Sequence, residues 1–252
     1  MNNMQEKHSA NRRDMAEKGC AYGVGTGPGD PELMTLKAVR ILQEADVIAC
    51  SGNDPEKCAA YRTAVRAVPE IALKETVSIA VPMTYDRAVQ EKEHLDSARR
   101  IAVYLEAGKN VAFLILGDPT IYSSFSYYRR ILEEEGYHTE IISGVPSFCA
   151  AAAKLDIPLV EWEQQMHIIP AAHQKDLENE YPGTTVYMKT GKRLKDLKEH
   201  LTRTPHEVYA VENCGMEGEK VSVGTEGMPD QSGYYTTVII KEKSSICQDK
   251  EK

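Results

Sequence analysis

The chain has 252 residues, 42% of them hydrophobic and 27% charged, which is ordinary for a globular protein that can bury a core. Its formal net charge of −8 argues against a general nucleic-acid binder, because such proteins present a net basic face. The six cysteines form no C-x-x-C pair, so we expect reduced thiols, no protein-bound metal and a cytoplasmic location.

Residues 1–19 are polar and lack the apolar core of a signal peptide. We predict that they form a polar tail, and that residues 244–252 form another. No apolar stretch reaches the length needed to cross a bilayer, so no membrane partner is expected.

Strands and helices alternate between residues 20 and 143. The predicted strands are AYGV, ADVIAC, NVAFLILGD and HTEIIS, and the predicted helices cover residues 33–44, 86–109 and 120–136. The unbroken apolar run at residues 111–116 is typical of a strand covered on both faces in a parallel sheet. This alternation predicts an α/β domain at residues 20–143 with right-handed crossovers.

The second half is richer in strand. A small-residue helix, SFCAAAAKL, precedes the strands MHIIP, TTVYMK, EVYAVEN, KVSVG and YYTTVIIK, and one further helix, KRLKDLKEHL, interrupts them. We predict a second α/β domain at residues 144–243 with strands of mixed direction, joined to the first near Ser143.

Four glycines precede Asp30 in the first strand-to-helix segment, at Gly23, Gly25, Gly27 and Gly29. A Walker loop would need a lysine where Asp30 stands, and a dinucleotide fingerprint would need a differently spaced third glycine. A tight turn that uses the conformational freedom of glycine is the favoured interpretation of this segment alone.

Two further loops follow predicted strands. LGDPTIY repeats the Gly-Asp-Pro corner, and in an open parallel sheet both corners can face one cleft, although each Asp can instead cap a helix. In SGVPSF, Ser147 can cap the next helix or contact a ligand. Met188 is typical core filler, although it can also contact an adenine or a sulfur.

Common catalytic constellations are missing from the sequence. His138, His167 and His173 lack metal-ligand spacing, and no G-x-S-x-G segment occurs. This favours an enzyme in which a reactive cofactor supplies the chemistry.

Five segments in order resemble the tetrapyrrole (corrin and porphyrin) methylase family, from about Ala21 to Lys241. They are YGVGTGPGDPELMTLKAVRILQEADVI, LGDPTIYSSFSY, IISGVPSFCAAAAKL, TVYMKTGK and VENCGM. Within the family, the chain looks most like the branch that methylates C20 of precorrin-2 or cobalt-factor II.

The resemblance implies two α/β domains with S-adenosylmethionine bound in a cleft between them. It also implies a homodimer of cobalamin biosynthesis that converts precorrin-2 or cobalt-factor II to precorrin-3A or cobalt-factor III. The implied cofactor contacts are Pro28, Leu116, Gly117, Asp118, Ile121, Pro146, Ser147, Met188, Val211, Glu212, Asn213, Cys214, Thr236 and Thr237.

Three residues depart from the branch pattern. Thr236 and Thr237 stand where the branch more often has Ser-Leu, and Trp162 stands where a small or polar residue is expected. Asp30 is the candidate catalytic base that removes the meso proton, with Tyr22 and water as alternatives. Candidate anchors for substrate carboxylates are Arg62, Arg66, Arg129 and Arg130, which also suit solvated helix faces.

Four alternatives remain open. Two lie within the same fold: another tetrapyrrole methylase with different carbon specificity, and a relative acting on a protein or RNA substrate, of which RNA is disfavoured by the acidity of the chain. The others are a non-catalytic nucleotide-binding module and a dinucleotide oxidoreductase, which the glycine spacing disfavours.

Overall fold

The computed structural model describes residues 18–80, 84, 86–171, 177, 181–203 and 206–242. Most of the first predicted tail, all of the second, and His173 lie outside the described residues. The chain divides into two compact units. The first runs up to Gly27 and then from Pro31 to Val145, and the second contains Pro28–Asp30 and the chain from Pro146 onward.

The described part of the first unit contains a five-stranded parallel sheet. Its strands are β1 (Cys20–Gly25), β2 (Val47–Ser51), β3 (Glu75–Ile79), β4 (Val111–Ile115) and β5 (His138–Ile142). They lie in the order β3-β2-β4-β1-β5, and all their pairings are parallel. The parallel sheet predicted for the first half is therefore confirmed.

Helices cover both faces of this sheet. They are α1 (Leu36–Glu44), α2 (Ala59–Ala67), α3 (Arg87–Glu106) and α4 (Phe125–Glu134). In β4, Leu114 packs in one apolar cluster with α1 and α2, and its neighbour Phe113 packs in a second cluster with α3 and α4. Successive side chains of a strand point to opposite faces, so the apolar run at residues 111–116 is buried on both sides, as predicted.

Two helices begin later in the chain than predicted. The helix predicted from residue 33 begins at Leu36, because Thr35 caps it by accepting a hydrogen bond from the Ala38 amide. The helix predicted from residue 120 begins at Phe125, after Tyr122 adopts a left-handed φ of 47°. Helix α2 and strand β3 had not been predicted, and β3 is an edge strand with two exposed residues.

The second unit has a mixed sheet, as predicted. Its elements are α5 (Ser147–Leu155), β6 (Met166–Pro170), β7 (Thr184–Met188), α6 (Leu194–Leu201), β8 (His206–Glu212), β9 (Lys220–Val223), α7 (Gly224–Gly227) and β10 (Thr236–Glu242). The order is β6-β7-β10-β8-β9, with β6 and β7 parallel and the other pairs antiparallel. Helix α6 packs on one face with Tyr187 and Val238 of the sheet.

Candidate functional site

In the first unit, the segment just before the first Gly-Asp-Pro corner (residues 29–31) lies beside the start of the second corner (residues 117–119). Gly27 and Gly117 form an isolated antiparallel bridge, in which the Gly117 amide donates to Gly27 O over 2.7 Å. Because β4 and β1 are adjacent and parallel, their carboxyl ends meet at one edge of the sheet. Gly27 and Gly117 therefore share this edge, and it stays a prediction that both Gly-Asp-Pro corners face one cleft.

The turn after β5 joins the same edge through close backbone contacts. A Cβ atom on Gly25 would lie 2.7 Å from both Gly117 O and Gly144 N, and one on Gly144 would overlap Gly117 O. Side chains do not fit at such distances, so three backbones approach each other here only because these residues are glycine. Gly23 serves packing as well, since a Cβ there would overlap the Phe125 ring.

Asp118 ties these turns together with its carboxylate. Oδ2 accepts hydrogen bonds from the Ser143 hydroxyl and, over 2.9 Å, from the Gly144 amide. Oδ1 accepts from the amide and hydroxyl of Thr120 over 2.7 and 2.5 Å. Asp118 therefore braces two loops and does not cap a helix, which was the alternative for this residue.

The charged state of Asp118 is stabilised by these donors. Burial acts to raise the pKa of this carboxyl, since only 6% of the residue is exposed. The hydrogen bonds from Ser143, Thr120 and Gly144 outweigh burial, and the pKa is lowered from its ordinary value. The side-chain oxygens of Asp118 are engaged within the protein, which leaves the backbone of this corner to meet a ligand.

Ser143 extends the same network to the first helix. Its carbonyl accepts a hydrogen bond from Thr35 Oγ1 over 3.2 Å, and Thr35 is the cap of α1. Ser143 and Thr35 were not among the predicted site residues. The position of Ser143 at the end of a strand, directly before Gly144, was the available signal. Leu116 and Ile121, the other predicted residues of this corner, are half-buried.

In the second unit, several predicted residues form a row across neighbouring strands. Thr237 of β10 lies opposite Met188 of β7 on one side and Val211 of β8 on the other. Directly opposed residues of an antiparallel pair share a face of the sheet. Ser147, the first residue of α5 after Pro146, lies on this face with its Oγ 3.3 Å from Thr237 Oγ1.

The neighbouring row holds Thr236 and Glu212, which are also paired across the sheet. Thr236 is 2% exposed and donates from its hydroxyl to Gly233 O over 2.9 Å. Glu212 Oε1 accepts from the Gly233 amide over 2.6 Å. Both side chains therefore hold the turn before β10, and any ligand contact at these two residues would use other atoms.

The loop after β8 contains Asn213 and Cys214. Asn213 has a left-handed φ of 53°, and its backbone N–H donates to Tyr235 O over 2.9 Å. Burial, followed by the charge of Glu219, raises the pKa of the Cys214 thiol to about 11. Cys214 is therefore a neutral thiol at pH 7, which suits contact with an uncharged part of a ligand.

The two side chains predicted as bases differ in position. Asp30 is half-buried and belongs to the second unit, where it packs against Gly215. Tyr22 lies in the middle of β1 and packs against an apolar cluster of the first unit. Burial, with Cys20 nearby, raises the pKa of Tyr22 to about 12, which makes it a poor base at neutral pH.

Two of the four candidate arginines have local partners. Arg62 donates to Glu56 O over 3.0 Å, and Arg129 pairs with Glu133 one helical turn away over 2.7 Å. Arg66 and Arg130 are exposed. Trp162, which departs from the branch pattern, is 96% exposed with a left-handed φ of 50°. These positions give no sign of a built anion site.

The described part of the chain contains no group of three or more His, Cys, Asp or Glu side chains placed to hold a metal ion. The lack of a protein-bound metal stays a prediction. Among the described helices, none is both long and apolar enough to span a bilayer.

Comparisons with known proteins agree with the resemblance in the sequence. Residues 21–229 match the sequence family described as Tetrapyrrole (Corrin/Porphyrin) Methylases. The probable cobalt-precorrin-2 C(20)-methyltransferase of Methanocaldococcus jannaschii is 34% identical, over 87% of this chain and 95% of that protein. The precorrin-2 C(20)-methyltransferase of a Sinorhizobium species is 30% identical, over 88% of this chain and 95% of that protein.

A solved structure supports the same fold. Uroporphyrin-III C-methyl transferase from Thermus thermophilus, complexed with S-adenyl homocysteine, superposes with a TM-score of 0.65 at 24% identity. The match covers 89% of this chain and 98% of that chain.

Proposed function

The chain belongs to the tetrapyrrole (corrin/porphyrin) methylase family, and from this membership we propose that it methylates C20 of a corrinoid precursor in cobalamin biosynthesis. The methyl donor is S-adenosylmethionine, and the substrate is precorrin-2 or cobalt-factor II, giving precorrin-3A or cobalt-factor III. The observation that supports this proposal most directly is the similarity to two C20-methyltransferases over 95% of the length of each.

The described residues fit the adenosine and methionine parts of this donor. Ser147 and Thr237 offer hydroxyls 3.3 Å apart, and Thr237 is paired with the apolar Met188 and Val211. Apolar surface with a few placed polar groups is the composition expected for a nucleoside. In the first unit, the Leu116–Asp118 corner is held rigid by Ser143 and Thr120, so its backbone is preorganised.

When bound, the donor supplies an electrophilic methyl group on its sulfonium. We propose that the protein contributes alignment and exclusion of water, and that the carboxylate of Asp30 accepts the proton leaving C20. The proposed donor contacts are Pro28, Leu116, Gly117, Asp118, Ile121, Pro146, Ser147, Met188, Val211, Glu212, Asn213, Cys214, Thr236 and Thr237. Contacts at Asp118, Glu212 and Thr236 are proposed for the backbone, because their side chains are engaged elsewhere.

The assembly and location are also proposed. We propose a cytoplasmic homodimer that acts on a free tetrapyrrole, with neither nucleic acid nor membrane as a partner. The net charge of −8 supports the exclusion of nucleic acid. Light scattering with size-exclusion chromatography tests the dimer, and a monomer at micromolar concentration contradicts it.

Anaerobic incubation with 13C-methyl-labelled S-adenosylmethionine and either precorrin-2 or cobalt-factor II tests the activity. A net gain of one CH2, because a methyl group replaces the C20 hydrogen, is expected with label on C20, and the better substrate identifies whether cobalt is already present. Label on another carbon supports the alternative of different carbon specificity. Donor binding without transfer to either substrate supports the non-catalytic nucleotide-binding module.

Two variants test the donor contacts. Ser147→Ala and Thr237→Val remove the paired hydroxyls, and the dissociation constant for S-adenosylmethionine is expected to rise about tenfold in each. Ser126→Ala is the matched control, because it removes one hydrogen bond from an exposed helix residue. Unchanged affinity in the first two variants contradicts the assignment of Ser147 and Thr237.

A further inference from the structure

Glu219 uses its two carboxylate oxygens on two different elements. Oε2 accepts a hydrogen bond from the Gly215 amide over 2.7 Å, and Oε1 pairs with Lys154 Nζ of α5 over 2.7 Å. The Glu219 side chain is 21% exposed, whereas that of Lys154 is 53% exposed. The bond to Gly215 is therefore the more sheltered of the two interactions.

Gly215 in turn lies directly against the tripeptide Pro28–Asp30. A Cβ atom on Gly215 would lie 2.6 Å from Asp30 N, and one on Gly29 would lie 2.8 Å from Cys214 O. A Cβ on Gly29 would also overlap the Met216 side chain. The two backbones meet at a distance that only glycine permits, so a shift of the Gly215 loop would displace Asp30.

We infer that Glu219 is a positioning residue that holds the Pro28–Asp30 segment in place through its hydrogen bond to the Gly215 amide. The effect on catalysis rests on the proposed function, in which Pro28 contacts the methyl donor and Asp30 accepts a proton. The positioning itself does not depend on that function, because it is a property of the free protein.

The carboxylate's bond to Gly215, and not its ion pair, carries this role. A charge-assisted hydrogen bond to a backbone amide is about twice as strong as a neutral one, whereas exposed ion pairs contribute little. The hydrogen bond from Gly215 is also the main cause that lowers the pKa of Glu219, ahead of the bond from Lys154. Glu219 is accordingly ionised at neutral pH, and its carboxylate accepts from the Gly215 amide.

Four variants separate the two interactions. Glu219→Ala removes both, Lys154→Met removes only the ion pair, and Glu219→Gln keeps an acceptor for Gly215 without the charge. Glu219→Asp shortens the side chain by one methylene and keeps the charge, so it replaces Glu219→Ala if that variant does not fold. Thermal unfolding is recorded for each, so that all measurements are made well below its midpoint.

Hydrogen–deuterium exchange of the free protein is the first readout. In Glu219→Ala, we expect exchange at the Gly29 and Asp30 amides to accelerate about fivefold, which corresponds to the loss of one hydrogen bond. In Lys154→Met and Glu219→Gln, we expect less than about twofold change. Wild-type exchange in Glu219→Ala overturns the inference, and so does an equal acceleration in Lys154→Met.

Methyl transfer is the second readout. In Glu219→Ala, kcat is expected to fall about tenfold while KM for the donor changes less than about threefold. The reason is that a displaced Asp30 slows the chemical step more than it weakens donor binding. Glu219→Gln is expected to restore kcat to within about twofold of wild type, and failure of this rescue contradicts the role of the Gly215 bond. If the wild-type protein transfers no methyl group, the proposed function fails, and the exchange measurement alone decides the positioning role.

Discussion

Asp118 Oδ2 accepts hydrogen bonds from both the hydroxyl of Ser143 and the amide of Gly144, the latter over 2.9 Å. Asp118 lies in the loop after β4, and Ser143 and Gly144 begin the loop after β5; these two strands lie on either side of β1 in the sheet. One carboxylate therefore joins two loops whose bonded residues, Asp118 and Ser143, are 25 residues apart in the sequence. Because the corner carries proposed donor contacts, its rigidity links fold stability to function.

Replacing Asp118 with Asn is expected to destabilise the protein by about 2 kcal/mol, because an amide NH2 would face donors on one side of the residue. Ser143→Ala removes one of four bonds, and the expected loss is about 1 kcal/mol. Urea unfolding at pH 7 measures both. Ser126→Ala, which loses an exposed hydrogen bond, is expected to be close to neutral, and an equal loss there would contradict this ranking.

The stability that Asp118 contributes is expected to depend on pH. Its folded pKa is lowered, so the contribution is present above the unfolded pKa of about 3.9 and is lost as pH falls through the folded value. The difference in unfolding free energy between wild type and Asp118→Asn should therefore shrink in acid. A difference that grows on acidification would contradict the assigned direction of the shift.

Gly23→Ala is expected to destabilise the first unit by about 1–3 kcal/mol, because the added methyl group would overlap the buried Phe125 ring. Combining it with Phe125→Leu should cost less than the sum of the two single changes. The matched control is Gly227→Ala, where the nearest atom lies 3.7 Å from the added group. Thermal unfolding measures the stability of each variant. Equal unfolding midpoints for Gly23→Ala and Gly227→Ala would refute the packing account.

Cys58 is expected to be the most reactive thiol among the described cysteines at pH 7. The Cys50 thiol, together with the nearby amides of Tyr61, Ala60 and Ser51, lowers the pKa of Cys58 below its ordinary value. Its thiolate fraction, and with it the rate of alkylation by iodoacetamide, should therefore rise at a lower pH than for an ordinary thiol. Mass spectrometry of the peptides measures each site separately.

Two comparisons test this assignment of Cys58. Cys149 is the internal control, because it is exposed but burial of its sulfur raises its pKa. Cys50→Ala removes the main cause of the lowered pKa, so alkylation of Cys58 should require a higher pH. Faster reaction at Cys149 than at Cys58 at pH 6.5 would be incompatible with this arrangement.

Lys74→Met is expected to destabilise the protein by about 1–2 kcal/mol, because Lys74 satisfies orphan carbonyls at the end of α1. Nζ donates to Leu42 O over 2.8 Å and to the carbonyls of Gln43 and Ala45 over 2.6 Å each. Lys57→Met, at a side chain that is 85% exposed, should change stability little. Chemical denaturation compares them, and similar values would show that the cap contributes nothing.

Much of the fold was predictable because hydrophobic period is a local property of the chain. The apolar run at residues 111–116 indicated a strand buried on both faces, and the spacing of Ile121, Phe125, Tyr128 and Leu132 indicated a helix. The last three of these side chains are fully buried, whereas Ile121 precedes the helix and is half-buried. The start of that helix was not predictable from the same pattern. Hydrogen bonds from Thr120 to Asp118 and the left-handed Tyr122 set it at Phe125.

The candidate site was predictable in its position and not in its contacts. The placement of Gly-Asp-Pro corners after apolar strands located the edge of the sheet, and five ordered segments identified the family. Sequence patterns gave no sign that the Asp118 carboxylate would accept hydrogen bonds from Ser143 and Gly144, or that the Glu219 carboxylate would accept one from Gly215. Those partners depend on loop conformations, which neither secondary-structure propensity nor the spacing of hydrophobic residues predicts.

The sequence by itself determined the order and kind of most elements, the family and the glycine positions. Only the tertiary structure decided what each glycine is for: Gly23 admits the Phe125 ring, Gly25 meets Gly117 and Gly144, and Gly29 meets Cys214 and Met216. The physical reason is the distance along the chain between the interacting residues. Element type follows from residues a few positions apart, whereas a close approach between backbones exists only once distant segments have packed together.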